Sequence, residues 1–410
     1  MEKLHKAIRE EDARFTFDLL SKNRPFDNAM NKTMTKIEFG SSYSESSSEF
    51  MLLSVDESVV DAFHAGQSLT IRGDSTDDAC LCTDSVTFPI KIIESATTCL
   101  LMHQMLEPPV SPTEPCFEVK TVDGKCFATG ELCPPVDVLN VGRLKDLLRE
   151  HELQWNWKDA SDEKKENLKG YRLEELLDVV QMSTGELKTA LNDLPVIKFP
   201  NGKYRFLSHK FRGEMLGLIV EMLDDSDNDD VTFEKMTFGA LRGNLPENVP
   251  DEAIEWFLTA RCDIDSSSTG KFSYADTFFR LPERNLVRDL AVVILYSTER
   301  MPFDQFSELL QKILPFGCHV AESVFEGVAD ISDAPFGRLI SYLAPEDLPD
   351  TTKERMEYLF ERRKLWSMEQ LRPYFGDLFK SKVAFDKFVV QNCDYTLSDT
   401  NEMLYCGVRM

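Results

Sequence analysis

Basic side chains are in short supply in this 410-residue chain: Lys and Arg number 46 against 71 Asp and Glu, a formal net charge of −25. Such a field repels a phosphate backbone over most of the surface, so nucleic acid can be met only on a local basic face or through a partner subunit. Long apolar runs are missing too. No stretch approaches the roughly eighteen residues of a membrane span, and the opening Met1-Glu2-Lys3-Leu4-His5 lacks the apolar core of a signal peptide. The sequence therefore predicts a soluble chain that stays inside the cell, with no membrane partner, and gives no weight to the glycosylation sequon Asn31-Lys32-Thr33. Histidine is scarce, and the six, at 5, 64, 103, 151, 209 and 319, never fall at metal-ligand spacing.

The motifs of common chemistry are also lacking. There is no Gly-x-x-x-x-Gly-Lys-Ser/Thr loop, no Gly-x-Gly-x-x-Gly after a strand, no His-Glu-x-x-His, no nucleophile elbow and no protein-kinase motif set. The expectation is a protein that is not an enzyme, binds no ATP by itself and needs no cofactor. Ten cysteines are spread thinly. Cys80-x-Cys82 puts two thiols on one face of a strand, but structural zinc wants a second such pair, and Cys116, Cys126 and Cys133 are irregularly spaced. Buried reduced thiols are the better reading. The run Asp224-Asp225-Ser226-Asp227-Asn228-Asp229-Asp230 fails as a calcium loop, because Asp230 and Met236 stand where glycine and glutamate are required, and it reads as a hydrated linker.

What is present begins with strands. Phe50–Val55, Ser68–Asp74, Ala79–Cys82 and Val86–Ile93 are short β-type runs, and Leu69 and Ile71 alternate with Thr70 and Arg72 at the period of a half-buried strand. A small sheet of this kind must protect its edges, and strands from another chain are one solution. Serines crowd positions 41 to 48 as a loop, and the prolines at 108, 109, 112, 115, 134 and 135 predict a passage with little regular structure.

Helical periodicity follows. Leu173, Leu176, Leu177 and Val180 share a helix face, Ser183 with Glu186 forms a capping box, and Leu187, Leu191 and Leu194 line a second helix that stops before Pro195. Val196–Phe199, Pro200-Asn201-Gly202 and Lys203–Leu207 then give a hairpin. Helix, turn, capped helix and hairpin is the winged-helix order. The grammar returns with the helix from Pro250 and a strand at 270–274. It returns again where Ser367 and Gln370 form a capping box with a Trp366–Leu371 staple, followed by a short helix over 379–388 and wing strands at Val389-Val390 and Leu404–Cys406.

The predicted fold class is α+β, an N-terminal β-rich partial barrel completed by partner chains and followed by tandem winged-helix domains. The expected boundaries are a docking domain over 1–110, a connector with irregular and helical parts over 111–160, and modules over 161–223, 234–300 and 301–410, with an acidic linker at 224–233. Leu69, Ile71, Phe88, Ile90 and Ile92 are the candidate docking residues. Lys188, Lys198, Lys203, Arg205, Lys210 and Arg212 in and after the first module, and Arg362, Arg363, Lys364, Arg372, Lys380, Lys382 and Lys387 in the last, are the places where a phosphate or polymerase contact survives the overall field. None is assignable to a base edge, so DNA contact is expected to be non-specific.

Leu69–Asp74, the run from Tyr171 to Leu194, and Lys364-Leu365-Trp366-Ser367-Met368-Glu369-Gln370-Leu371-Arg372-Pro373-Tyr374 resemble, in order and spacing, the matching blocks of the sister chromatid cohesion protein Dcc family. The resemblance implies a nuclear subunit of an alternative clamp loader that handles the sliding clamp PCNA. In that family the β-rich region assembles with the large subunit's C-terminal part and a small third subunit, while the winged helices engage the catalytic subunit of DNA polymerase epsilon and DNA. The acidic balance departs from a strong DNA binder. A winged-helix transcription or chromatin adaptor and a ubiquitin-ligase scaffold are the competing readings.

Overall fold

The alternating and capped segments take up defined elements in the computed structural model. It describes residues 11–12, 14–16, 18–19, 33–40, 43, 51–73, 77–102, 116–135, 137–155, 169–225, 230–264, 274, 277–315, 318, 320–335, 337–398 and 400–409. These fall into two units, one of Met1–Gly66 with Pro89–Pro134, the other of Gln67–Phe88 with Pro135–Met410. After helical residues 11–12, 14–16 and 18–19 come β1 (Thr33–Phe39), β2 (Leu52–Ser54) and α1 (Glu57–His64), then β3 (Thr70–Arg72), β4 (Cys80–Cys82), β5 (Thr87–Met102) and β6 (Cys116–Leu132).

In the first unit β6 is the axis. β5 runs antiparallel along one edge from Ile90↔Leu132 to Met102↔Val122. On the other edge β1 pairs in parallel with 116–122 and β2 in parallel with 129–131. Val122, Gly124 and Cys126 are buried and alternate with more open residues, the period of a half-covered strand. Gly130 is required where the strands approach, since a Cβ there would stand 2.8 Å from Leu53 Cδ1 and 3.2 Å from Ile90 Cγ2. Asp56 caps α1 by accepting from Val59 N, and the helix buries Val59 and Ala62 on one side. β6 corrects the expectation of an irregular passage between the prolines: Pro115 and Pro134 flank a strand of 17 residues that contains no proline.

The second unit holds β3 and β4, paired as an antiparallel hairpin, and everything from α2 (Val141–Arg149) onward. Next come β7 (Tyr171–Arg172), α3 (Leu173–Val179), α4 (Thr184–Asp193), β8 (Val196–Lys198), β9 (Lys203–Phe206) and α5 (His209–Asp224). These are followed by α6 (Phe238–Asn244), α7 (Asp251–Arg261), β10 (Asp263–Ile264), β11 (Phe279–Arg280), α8 (Glu283–Thr298), β12 (Arg300–Pro302), α9 (Phe303–Ile313), β13 (Ala329–Ala334) and β14 (Gly337–Tyr342). The last elements are α10 (Thr352–Arg362), β15 (Trp366–Ser367), α11 (Met368–Leu371), α12 (Lys382–Asn392), β16 (Cys393–Leu397) and β17 (Met403–Val408).

One order recurs: a short strand runs straight into a helix, and a later hairpin places its second strand against the first. The sheets β7-β9-β8, β12-β14-β13 and β15-β17-β16 follow it. So does the set in which Met236 bridges to Phe279 of β11, itself paired with β10. Where the sequence suggested three repeats, the described elements show the order four times. In the third set the second helix shrinks to a 3-10 turn, Glu322–Phe325. The strand expected at 270–274 falls almost wholly outside the described residues. Val389 and Val390 belong to α12, not to a wing, because Ser381 caps a helix that runs to Asn392; the hairpin is β16–β17.

Two cores form. One joins α5 to the second and third sets through Phe211, Ile219, Phe257, Val287 and Phe306. The other joins α2 and the first set to the fourth through Leu144, Leu176, Met356, Trp366 and Phe385. The hairpin β8–β9 lies between them: Val196 and Phe206 belong to the second core, while Ile197 and Leu207 belong to the first. Successive residues of a strand point to opposite faces, so this hairpin is covered on both sides.

Candidate interaction surfaces

The first unit is poor in core. Neither hydrophobic core includes any of its described residues. Among the described residues, twelve of the 25 large hydrophobic side chains that stand exposed belong to it, including Ile37, Phe39, Leu52, Phe63, Ile93 and Leu100. Along β5, Lys91, Ile92, Ile93 and Glu94 are all exposed, so both faces of that stretch are open. Of the candidate docking residues, Ile92 stands 56% exposed here, whereas Ile90 is buried. Leu69, Ile71 and Phe88 lie in the second unit: Ile71 is exposed, Phe88 is buried and Leu69 is half-buried.

The β3–β4 hairpin is fastened to the first set. Arg72 donates through Nη1 to the Leu177 carbonyl at the end of α3, and Gln181 donates to the Asp78 carbonyl. The capping box read from Ser183 and Glu186 forms, with Glu186 N 3.2 Å from Ser183 Oγ and Ser183 N 3.0 Å from Glu186 Oε2. The same carboxylate accepts from the Thr87 hydroxyl and pairs with Lys380 Nζ at 2.5 Å. Burial opposes its ionisation, but Lys380, Thr87 and the Ser183 amide together hold its pKa below the usual range. Cys80 and Cys82 are buried and free, with Sγ atoms 3.9 Å apart. The hydrogen bond from Cys80 brings the Cys82 thiol down to about 7 against the opposing effect of burial, while that contact and burial push Cys80 up.

The cations singled out in the sequence separate into two groups. In the first set Arg205 is buried, donating to the carbonyls of His151 (2.8 Å) and Glu152 (2.9 Å). Arg212 is turned onto Glu346 at 2.5 Å, and Lys198 lies over the Tyr204 ring. Lys203 is half-buried on β9, while Lys188 on α4 and Lys210 on α5 are exposed. In the last set Arg363 stacks over Trp366 and pairs with Asp330 at 3.5 Å, Arg372 pairs with Asp386, and Lys380 is held by Glu186. Arg362 donates to the Tyr358 hydroxyl and covers its ring. Lys364, Lys382 and Lys387 are exposed.

Beside Lys382 and Lys387 stands an apolar group that the sequence reading did not single out. Val383 is 77% exposed, and Val390, Tyr395, Leu397 and Met403 are also open, spanning α12 and the hairpin β16–β17. A signal was there to be read: Ala384, Phe385 and Val389 fill the core face of α12, which leaves Val383 and Val390 as apolar residues off that stripe. β16 has the burial pattern of a strand covered at Cys393 only. It contrasts with β8, of which only Lys198 is exposed.

Behind the last set lies a buried charge network. Lys145 of α2 donates to Asp350 at 2.7 Å and Asp377 at 3.1 Å, and Arg355 of α10 donates to both oxygens of Asp377 and to the carbonyls of Pro349 and Tyr374. Both cations are fully buried. Both cations meet anionic or carbonyl partners, which is the condition for charge in an interior.

The fold so described is a mixed α+β protein, a partial sheet followed by repeated small α+β subdomains. Among the described residues no helix is long and apolar enough to cross a membrane. A family model described as sister chromatid cohesion protein Dcc1 matches residues 50–375, and the chain belongs to this family. It is 27% identical over 360 residues to the sister chromatid cohesion protein DCC1 of Xenopus tropicalis, across 86% of this chain and 87% of the relative. It is 27% identical over 340 residues to the human protein of the same name, across 82% of each. A probable sister chromatid cohesion protein DCC1 of Dictyostelium discoideum is 22% identical over 384 residues, across 90% of this chain and 96% of the relative.

Proposed function

We propose that this chain is a non-catalytic, nuclear subunit of an alternative clamp-loader complex that acts on PCNA in replication and sister chromatid cohesion. In this reading the first unit docks to the large subunit and a small third subunit, which supply the apolar cover that its sheet lacks. The four repeated sets are tandem winged helices, near 171–207, 236–280, 300–342 and 366–408. The last of them, with its open recognition-position helix and wing, meets the catalytic subunit of DNA polymerase epsilon and, non-specifically, DNA.

The observation that carries the reading is the first unit's surplus of exposed apolar side chains over core. A sheet that leaves such surface in water is a docking surface or an aggregation hazard. Family membership favours the first. The decisive experiment coexpresses the full chain, or the chain without residues 1–66 and 89–134, with the large subunit's C-terminal segment and the small companion. Size-exclusion chromatography with light scattering should give a stable three-chain particle only with the full chain. Absence of that particle at moderate salt would overturn the docking role and bring the adaptor and ligase readings forward.

A further inference from the structure

We propose that His209 is a protonation-sensitive lock that holds the turn 345–347, and through it the entrance to the fourth set, on the start of α5. His209 opens α5 next to its cap Ser208. Its Nε2 lies 2.6 Å from Glu346 Oε1 and 2.9 Å from Asp347 Oδ2. Nδ1 lies 3.2 Å from Arg212 Nη2, which also reaches Glu346 Oε1 at 2.5 Å. From α2, Arg149 donates to the Glu346 carbonyl at 2.8 Å and to Asp347 Oδ1 at 2.9 Å. From β14, the Tyr342 hydroxyl donates to Asp347 Oδ2 at 2.6 Å, and from α8 the Tyr296 ring stacks on the imidazole with centroids 3.8 Å apart. Lys210, the remaining cation at this end of α5, is exposed.

The position gives the cluster its leverage. Ile340 belongs to the core of the second and third sets, while Leu343 and Leu348 belong to the core that contains Trp366 of the fourth. The chain passes from one core to the other between Ile340 and Leu343, and the turn 345–347, flanked by Leu343 and Leu348, is the first segment seated on the second core. With a neutral imidazole, Arg149 and Arg212 face Glu346 and Asp347, while Asp289 of α8 also acts on Arg212 but is paired with Arg261 at 2.7 Å; Nδ1 accepts from Arg212, and Nε2–H serves one carboxylate at a time. A proton on Nδ1 adds a third cation against the two carboxylates and ends the acceptance from Arg212, which keeps Glu346.

Burial opposes that proton, but the hydrogen bonds to Asp347 and Glu346 outweigh it and raise the imidazole pKa. A raised folded-state pKa gives stability that is fully present below the unfolded value and is lost as pH rises through the folded one. The turn should therefore be tighter on the acid side of neutrality.

The inference does not depend on the docking reading. Hydrogen exchange of the full chain, corrected for intrinsic rates, tests it at residues 343–348 between about pH 6 and pH 8.5. In the unmodified protein, opening of this segment should become at least about threefold more frequent as pH rises. In His209→Gln, which keeps a donor but cannot take a proton, opening should not change with pH. The same pH dependence in both proteins would overturn the proposal. Asp347→Asn, which removes one of the carboxylates that hold the proton, supplies a second test: the transition should move to lower pH, and an unmoved transition would refute the lock even if the His209 variant failed to fold.

Discussion

At the scale of single residues, charge decides most where it is hidden. Lys145 and Arg355 are fully buried and share Asp377. Removing that carboxylate takes from buried Arg355 the anion that meets two of its nitrogens and leaves Lys145 with Asp350 alone, so Asp377→Ala should cost about 3–5 kcal/mol, read as a fall in the denaturation midpoint of the full chain. Arg372 and Asp386 are partly exposed, so Arg372→Ala should cost about 1 kcal/mol or less. A comparable loss in both variants would show that burial does not set the network apart. Nothing in the sequence marked Lys145, because its partners Asp350 and Asp377 lie 205 and 232 positions away in the chain. By contrast, the capping boxes Ser183–Glu186 and Ser367–Gln370 were legible, since a box is a local agreement between residues three apart.

At the scale of elements, legibility follows how far the pairing is local. The Asn201-Gly202 hairpin joins neighbours and was readable from its turn residues, with Gly202 at φ 82° as such a turn requires. β6 was hidden, because its partners are β1, β2 and β5 and because the flanking prolines suggested irregularity. The hairpin β8–β9 looked cationic in sequence, yet burial on both faces turns Arg205 inward. Arg205→Ala would leave the carbonyls of His151 and Glu152 without their donor, a cost of about 1–3 kcal/mol, and should leave DNA affinity unchanged once folding is matched. On the last set, replacing both Lys382 and Lys387 with glutamine should weaken duplex binding alike for all sequences. Anisotropy titrations over a salt series should show a slope shallower by about 1–2. An unchanged slope would move any DNA contact away from α12, and a lowered affinity in Arg205→Ala would return it to the hairpin β8–β9.

At the scale of the whole molecule, the balance of surfaces argues more than the balance of charge. A net charge of −25 disfavours free association with nucleic acid, so the proposed docking rests on apolar contact, which the first unit offers. Ile92 and Phe39 are both more than half exposed, and exposed apolar side chains contribute little to the folded chain's own stability. Ile92→Glu with Phe39→Glu should therefore shift the thermal midpoint of the isolated protein by no more than a few degrees, within about 0.5 kcal/mol per site. In the assembled particle the same pair would put two unpaired charges into a desolvated interface, each costing several kcal/mol, enough to abolish coelution with the partner chains. Measuring both quantities on one preparation separates the explanations. A protein that is destabilised and fails to assemble would mean that these residues support the sheet itself. A protein that is unchanged and still assembles would mean that the partners cover another part of the unit. Only intact stability with lost assembly fits a sheet whose missing core is supplied from outside.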